Sequence, residues 1–123
     1  MKSPQRVVIV GASHKPDRFA HKALVALRRH GHEVVLVHPA LKEIEGLPVV
    51  ADLSEIKEPV DTVTMYVGPA ISAGMGEKLT ALKPARVIFN PGAENPELAA
   101  KLTAAGIRAE DACTLVMLAT DQF

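Results

Sequence analysis

Four short apolar runs rich in β-branched residues recur along the chain, with enough sequence between them for crossover connections. They are Arg6 to Val10, Glu33 to Val37, Asp61 to Val67 and Arg86 to Asn90. A near-continuous Val/Ile run is what a strand buried on both faces requires, and such strands belong to parallel sheets. Between the first two, Ala20, Ala23, Leu24 and Leu27 fall at i, i+3, i+4 and i+7. That is one helical stripe within Phe19 to His30, with Gly31 as its C-terminal cap. Strand, helix and strand make a βαβ unit, paired in parallel through a right-handed crossover.

The remainder repeats the theme. Leu47 to Val50 reads as a short edge strand, and Asp52 with Glu55 is placed to cap one helical turn before Pro59. Gly68-Pro69 breaks the third run. Ile71, Met75, Leu79 and Leu82 then share a helix face, which Gly74 and Gly76 weaken. Asn95 as N-cap, Pro96 and Glu97 in the first turn, Leu98 and Leu102 inward and Gly106 at the end form the clearest helix signal. Ile107 to Glu110 is a last short strand, and Thr114 to Phe123 reads as a terminal helix. The expected fold is α/β, a doubly wound, Rossmann-like parallel sheet in a single domain spanning residues 1–123. Apolar residues are 48% of the chain but aromatics only 3%, so Val, Leu, Ile and Ala must build the core.

Charge narrows the partners. Lys+Arg and Asp+Glu number 14 each, so sequence-blind binding to nucleic acid or to an anionic membrane is not expected. The longest apolar runs are strand-length, and the polar start of the chain is unlike a secretion signal. With Cys113 the sole cysteine, no internal disulfide can form, which fits a reducing cytoplasm.

In an open α/β sheet the ligand crevice lies at the carboxyl ends of the strands. There the sequence places Gly11 to Arg18, Val37 to Lys42, Tyr66 to Ala70 and Phe89 to Asn95, most of them carrying Pro or Gly. The turn after the first strand leads into a helix, so backbone N–H groups and the helix dipole face an anion. Ser13 adds a hydroxyl, and His14, Lys15 and Arg18 add cationic or near-cationic groups. As a lone G-x-S, this turn is balanced by its bland reading, a solvated loop entering a helix. NAD asks for G-x-G-x-x-G and an acid at the end of the second strand. Ser13 and Pro16 replace two of those glycines, the strand ends Val37-His38-Pro39, and Glu33 sits at its wrong edge. NAD is disfavoured, and no P-loop motif is present.

The ordered set of motifs resembles the small stand-alone CoA-binding proteins. It comprises "VGAS" with Pro16 and Arg18, "GHEV" leading to "VHP", "IEG", the Val60-Asp61 pair, "YVGP" and "NPGAEN". That family shares the fold of the CoA-binding domain at the N-terminus of the succinyl-CoA synthetase alpha subunit, and the likeness runs from Val7 to about Cys113. It implies that the phosphates of CoA sit at the first turn, on Gly11, Ala12 and Ser13, with Lys15 and Arg18 close by. It further implies that Val37, His38 and Pro39 flank the adenosine, that Tyr66, Val67 and Pro69 close on the cofactor, and that Asn90, Pro91 and Gly92 line the remaining side. Where the family usually reads Asn-Pro-Lys, this chain reads His38-Pro39-Ala40, and Lys42 is the candidate replacement for the lost lysine. A 3′-phosphate would be repelled by an acid at the ribose, so the missing acid also suits CoA.

Catalytic signatures are weak. The synthetases phosphorylate a histidine in a second domain, for which this chain has no room. His14, His38 and Cys113 lack ligand spacing, and Cys113 reads as a small buried residue. The expected function is a non-catalytic module for CoA or acyl-CoA. The alternatives are an enzyme acting on a CoA thioester or nucleotide, with His38 as base, or a ligand-free interaction module. A small apolar domain of this sort commonly pairs, which leaves a homodimer open.

Overall fold

The computed structural model describes residues 3–123. In chain order the elements are β1 (Arg6–Val10), α1 (Phe19–Arg29), β2 (Glu33–Val37), β3 (Glu43–Ile44), β4 (Leu47–Val50), β5 (Thr62–Met65), α2 (Pro69–Ser72), α3 (Gly76–Leu82), β6 (Arg86–Phe89), α4 (Pro96–Ala104), β7 (Arg108–Asp111) and α5 (Thr114–Ala119). They form one seven-stranded sheet in the order β3-β4-β2-β1-β5-β6-β7. Every pairing is parallel except β3 with β4. Leaving out β3, the parallel strands run in the doubly wound Rossmann order, with the reversal between β1 and β5.

Strand periodicity divides the core into two layers. Val8 and Val10, Val63 and Met65, and Val87 and Phe89 point to one face, where Leu79, Leu98 and Leu102 cover them. Val7, Ile9, Leu36 and Ile88 point to the other, under Ala20, Ala23, Leu24 and Leu27 of α1 and Leu118 of α5. The predominantly aliphatic interior follows from the near absence of aromatic residues, and each fully buried Val or Leu contributes about 1.5–3 kcal/mol. The strand and helix positions read from periodicity agree with this arrangement.

Three expectations need correction. Leu47–Val50 is not the edge, because β3 folds back on it through a hairpin turn at Glu45 and Gly46, both at positive φ (53° and 76°). The helix after the third strand is divided into α2, a 3₁₀ turn at Ala73–Met75 and α3. Gly74 and Gly76 remove helix propensity there, and Ile71 turns outward at 60% exposure. The terminal helix stops at Ala119, after which Asp121 (φ 55°) reverses the chain. Phe123 is thereby buried beneath the Arg86 guanidinium, 4.5 Å from its ring centroid.

Candidate functional site

The reversal of strand order between β1 and β5 opens a cleft of about 1010 Å³ at the carboxyl ends of the strands. The first turn forms one wall, the segments after β2 and β4 a second, and the Tyr66–Met75 stretch with Lys78 a third.

The first turn requires its glycine. Gly11 has φ +86°, and a Cβ there would lie 2.8 Å from Val67 Cγ1 and 3.3 Å from the Tyr66 carbonyl carbon. The Gly11 and Ala12 N–H groups both donate to the Val37 carbonyl, at 3.2 and 3.1 Å, which ties the turn to the end of β2. Ser13 Oγ accepts from the Lys15 N–H at 3.1 Å, leaving its own proton free to donate. Among the described residues, the Ser13 and His14 N–H groups have no partner. No side chain caps α1, and no acidic residue stands in its first turn. His14, Lys15 and Arg18, all exposed, line the cleft beside this helix end. Unpaired donors, an uncapped helix start and the Lys15 and Arg18 charges together form an electropositive corner, since the one acid of the loop, the exposed Asp17, does not line the cleft.

On the second wall, His38 Nδ1 accepts from the Ala40 and Leu41 N–H groups, both at 3.0 Å, so its ring proton sits on Nε2. Glu33, the acid that a dinucleotide site would want at this end, instead pairs with Arg6 at the amino end of β2. The carboxylate that does line the cleft is Asp52, after β4. It caps the 3₁₀ turn Leu53–Glu55, accepting from the Ser54 N–H, while Glu55 accepts from the Asp52 N–H. Lys78 Nζ donates to Asp52 Oδ1 at 2.6 Å. The bond from Lys78, followed by those from Ser54, holds the Asp52 carboxyl down at about 2.

On the third wall, Tyr66 and Val67 follow β5 directly. Burial pushes the Tyr66 phenol up to about 12, against the pull of the Thr64 and Thr114 hydroxyls. Its ring packs against the α1 and α5 layer, which leaves it a fixed wall of the cleft. Phe19 and Ile71, 65% and 60% exposed, add apolar surface at the rim.

Of the residues expected at a site, the cleft gathers Gly11, Ala12, Ser13, Lys15, Arg18, Val37, His38, Pro39, Tyr66, Val67 and Pro91. Four do not line it. Lys42 is exposed beside β3, where its carbonyl accepts from the Val49 N–H, and its side chain does not replace the lost lysine in the lining. Pro69 is the exposed first residue of α2, and the Gly92 N–H is turned to Glu94. Asn90 is buried and fully engaged: Nδ2 donates to Thr64 Oγ1 (2.6 Å) and the Met65 carbonyl (2.9 Å), while Oδ1 accepts from the Thr114 N–H (2.9 Å). Sequence reasoning missed Lys78 and the rim pair of Phe19 and Ile71, and took Asp52 only as a cap. A polar residue on a short helix carries no local sign of the cleft it faces. Cys113, half-buried at the N-cap of α5, is not among the lining residues. No described helix is long and apolar enough to cross a membrane.

Comparison with known proteins agrees with this fold. A crystal structure of an uncharacterised protein superposes with a TM-score of 0.94 at 38% identity, covering 99% of this chain and 100% of that one. The structure of cell-free ID.343 from Thermus thermophilus gives 0.89 at 31% identity, over 98% and 91% of the two chains. The dinucleotide-forming acetyl-coenzyme A synthetase 1 of Ca. Korarchaeum cryptofilum shares the fold over 86% of this chain and 25% of its own length, with a TM-score of 0.74 at 22% identity. Uncharacterised protein YneT of Bacillus subtilis is 33% identical over 66 residues, which span 54% of this chain and about half (49%) of that protein. The family model for the CoA binding domain matches residues 5–119. This chain belongs to the CoA binding domain family.

Proposed function

We propose that the protein binds CoA or an acyl-CoA without transforming it, with the ligand's phosphates at the turn between β1 and α1. The observation that carries this reading is the donor-rich loop between β1 and α1, which runs into an uncapped helix start. The Ser13 and His14 N–H groups and the Ser13 hydroxyl are free to donate, and Lys15 and Arg18 stand beside them. Such a corner suits a pyrophosphate, whose charge is met by backbone donors and cations together. The exposed Phe19 and Ile71 suit the less polar pantetheine arm or an acyl chain.

The absence of turnover is supported by how the cleft's polar groups are used. The His38 Nδ1 lone pair faces two backbone N–H groups, so that nitrogen is not free to act as a base. The Ser13 hydroxyl is held by the Lys15 N–H, and no base is bonded to it. Calorimetry with CoA, NAD and ATP tests the reading: CoA binds tightest, and no heat from CoA overturns it. Incubation with a panel of acyl-CoA thioesters tests the second half, since sustained hydrolysis or transfer makes the protein an enzyme.

A further inference from the structure

The first turn is one cationic centre of the cleft; Lys78 is another. The first turn follows β1, whereas Asp52 follows β4, two strands away across β2. Two strand spacings are roughly 10 Å. A ligand with a pyrophosphate and a separate phosphomonoester carries two anionic groups divided in a comparable way by its ribose. Lys42, the lysine that the sequence offered in place of the one lost at Ala40, does not line the cleft, and Lys78 does.

In the structure Lys78 is held by Asp52, with half of the lysine side chain and 37% of the aspartate side chain exposed. An ion pair this exposed is worth little, so an incoming anion can take its cation, and the repulsion between that anion and the Asp52 carboxylate is the main cost. A phosphomonoester offers more charge and three acceptor oxygens. Asp52 keeps its bonds from the Ser54 N–H and hydroxyl and its place as the cap of the 3₁₀ turn after losing Lys78, so the exchange leaves no carboxylate stranded.

We propose that Lys78 takes the 3′-phosphate of the ligand and that Asp52 is its resident counter-ion, holding the ammonium ready until the phosphate replaces it. This rests on the CoA reading above and deepens it to selection of 3′-phosphorylated adenosine ligands.

The test is calorimetry of CoA and 3′-dephospho-CoA against the wild type, Lys78→Met, Lys78→Arg and Asp52→Asn. The wild type should prefer CoA. Lys78→Met should lose on the order of tenfold or more for CoA with dephospho-CoA unchanged, and Lys78→Arg should keep most of the preference. Asn still caps the turn, so Asp52→Asn should bind CoA several-fold more tightly and dephospho-CoA as before. Equal losses for both ligands in Lys78→Met, no loss for either, or weaker CoA binding by Asp52→Asn each overturn the proposal while leaving CoA as the ligand. A wild type that binds neither compound overturns the CoA reading and this proposal together.

Discussion

Gly11 and Val67 approach so closely that a single methyl group on the glycine would stand 2.8 Å from Val67 Cγ1. The contact brings the end of β1 against the end of β5, at the reversal of strand order. Gly11→Ala also forces an L side chain to φ +86°, so it should cost about 1–3 kcal/mol in urea unfolding. Adding Val67→Ala should recover only part of that loss, because it removes the closest contact but neither the tight approach to the Tyr66 backbone nor the strain at φ +86°. Full recovery would show that neither φ at position 11 nor the approach to the Tyr66 backbone matters much.

Ser13→Asp places a negative charge in the electropositive corner. The aspartate can still accept from the Lys15 N–H as the serine does, so the melting temperature should hold. CoA affinity should fall tenfold or more by calorimetry through like-charge repulsion. Unchanged affinity would remove the first turn from the ligand site.

Asn90→Ala should behave in the opposite way. Removing the amide leaves the buried Thr114 N–H without its partner and takes one bond each from Thr64 Oγ1 and from the Met65 carbonyl, which keeps the backbone N–H of residue 90, a loss of about 2–3 kcal/mol in urea unfolding. Affinity measured well below the melting temperature should change little, since Asn90 joins β5, β6 and the start of α5 from beneath the cleft.

His32 predicts a weaker fold in mild acid. Burial chiefly, then the neighbouring His30 and Arg86 charges, lowers its pKa below the ordinary 6.5. Between the folded and unfolded values the unfolded chain therefore binds more protons, so stability is complete above 6.5 and declines as pH falls through the lowered value. His32 Nδ1 accepts from the Gln5 N–H, and its ring lies 5.2 Å from that of Phe123, so protonation breaks a backbone bond at the amino end of the sheet. Urea midpoints at about pH 7 and about pH 5 should differ less in His32→Gln than in the wild type. An equal difference in both would assign the acid limb to other groups.

Tyr66 is the one tyrosine in a chain without tryptophan, so its phenolate absorbance reports a single site. In the folded protein the transition should centre near 12 rather than 10. A raised phenol contributes stability that is complete below 10 and lost as pH rises through 12. Half-titration near 10 with the fold intact would mean that the ring is more exposed than its packing against α5 implies.

The layers of this fold were legible because β-branched runs and i, i+3, i+4, i+7 stripes record burial directly. Val7 to Val10 and Ala20 to Leu27 lie where their periodicity places them. The β3–β4 hairpin was not legible: β3 spans only Glu43 and Ile44, too short for a period, and its turn puts Glu45 rather than a second glycine at positive φ. In the candidate site, residues next to strand ends could be named from the chain, since position along a strand fixes the edge they reach. Lys78 could not, because it meets the cleft only through the packing of α3 against the turn after β4. Asn90 followed the strand-end rule and still faced inward, where three hydrogen bonds claim its amide.

The paired bonds from Gly11 and Ala12 to the Val37 carbonyl have a further consequence. They seal the innermost part of the loop, so whatever docks there meets the outer rim at Ser13 and His14 and never the floor. Only the position wedged against β5 must then lack a side chain, and a serine and a proline can stand where a deeper-seated guest would demand bare backbone.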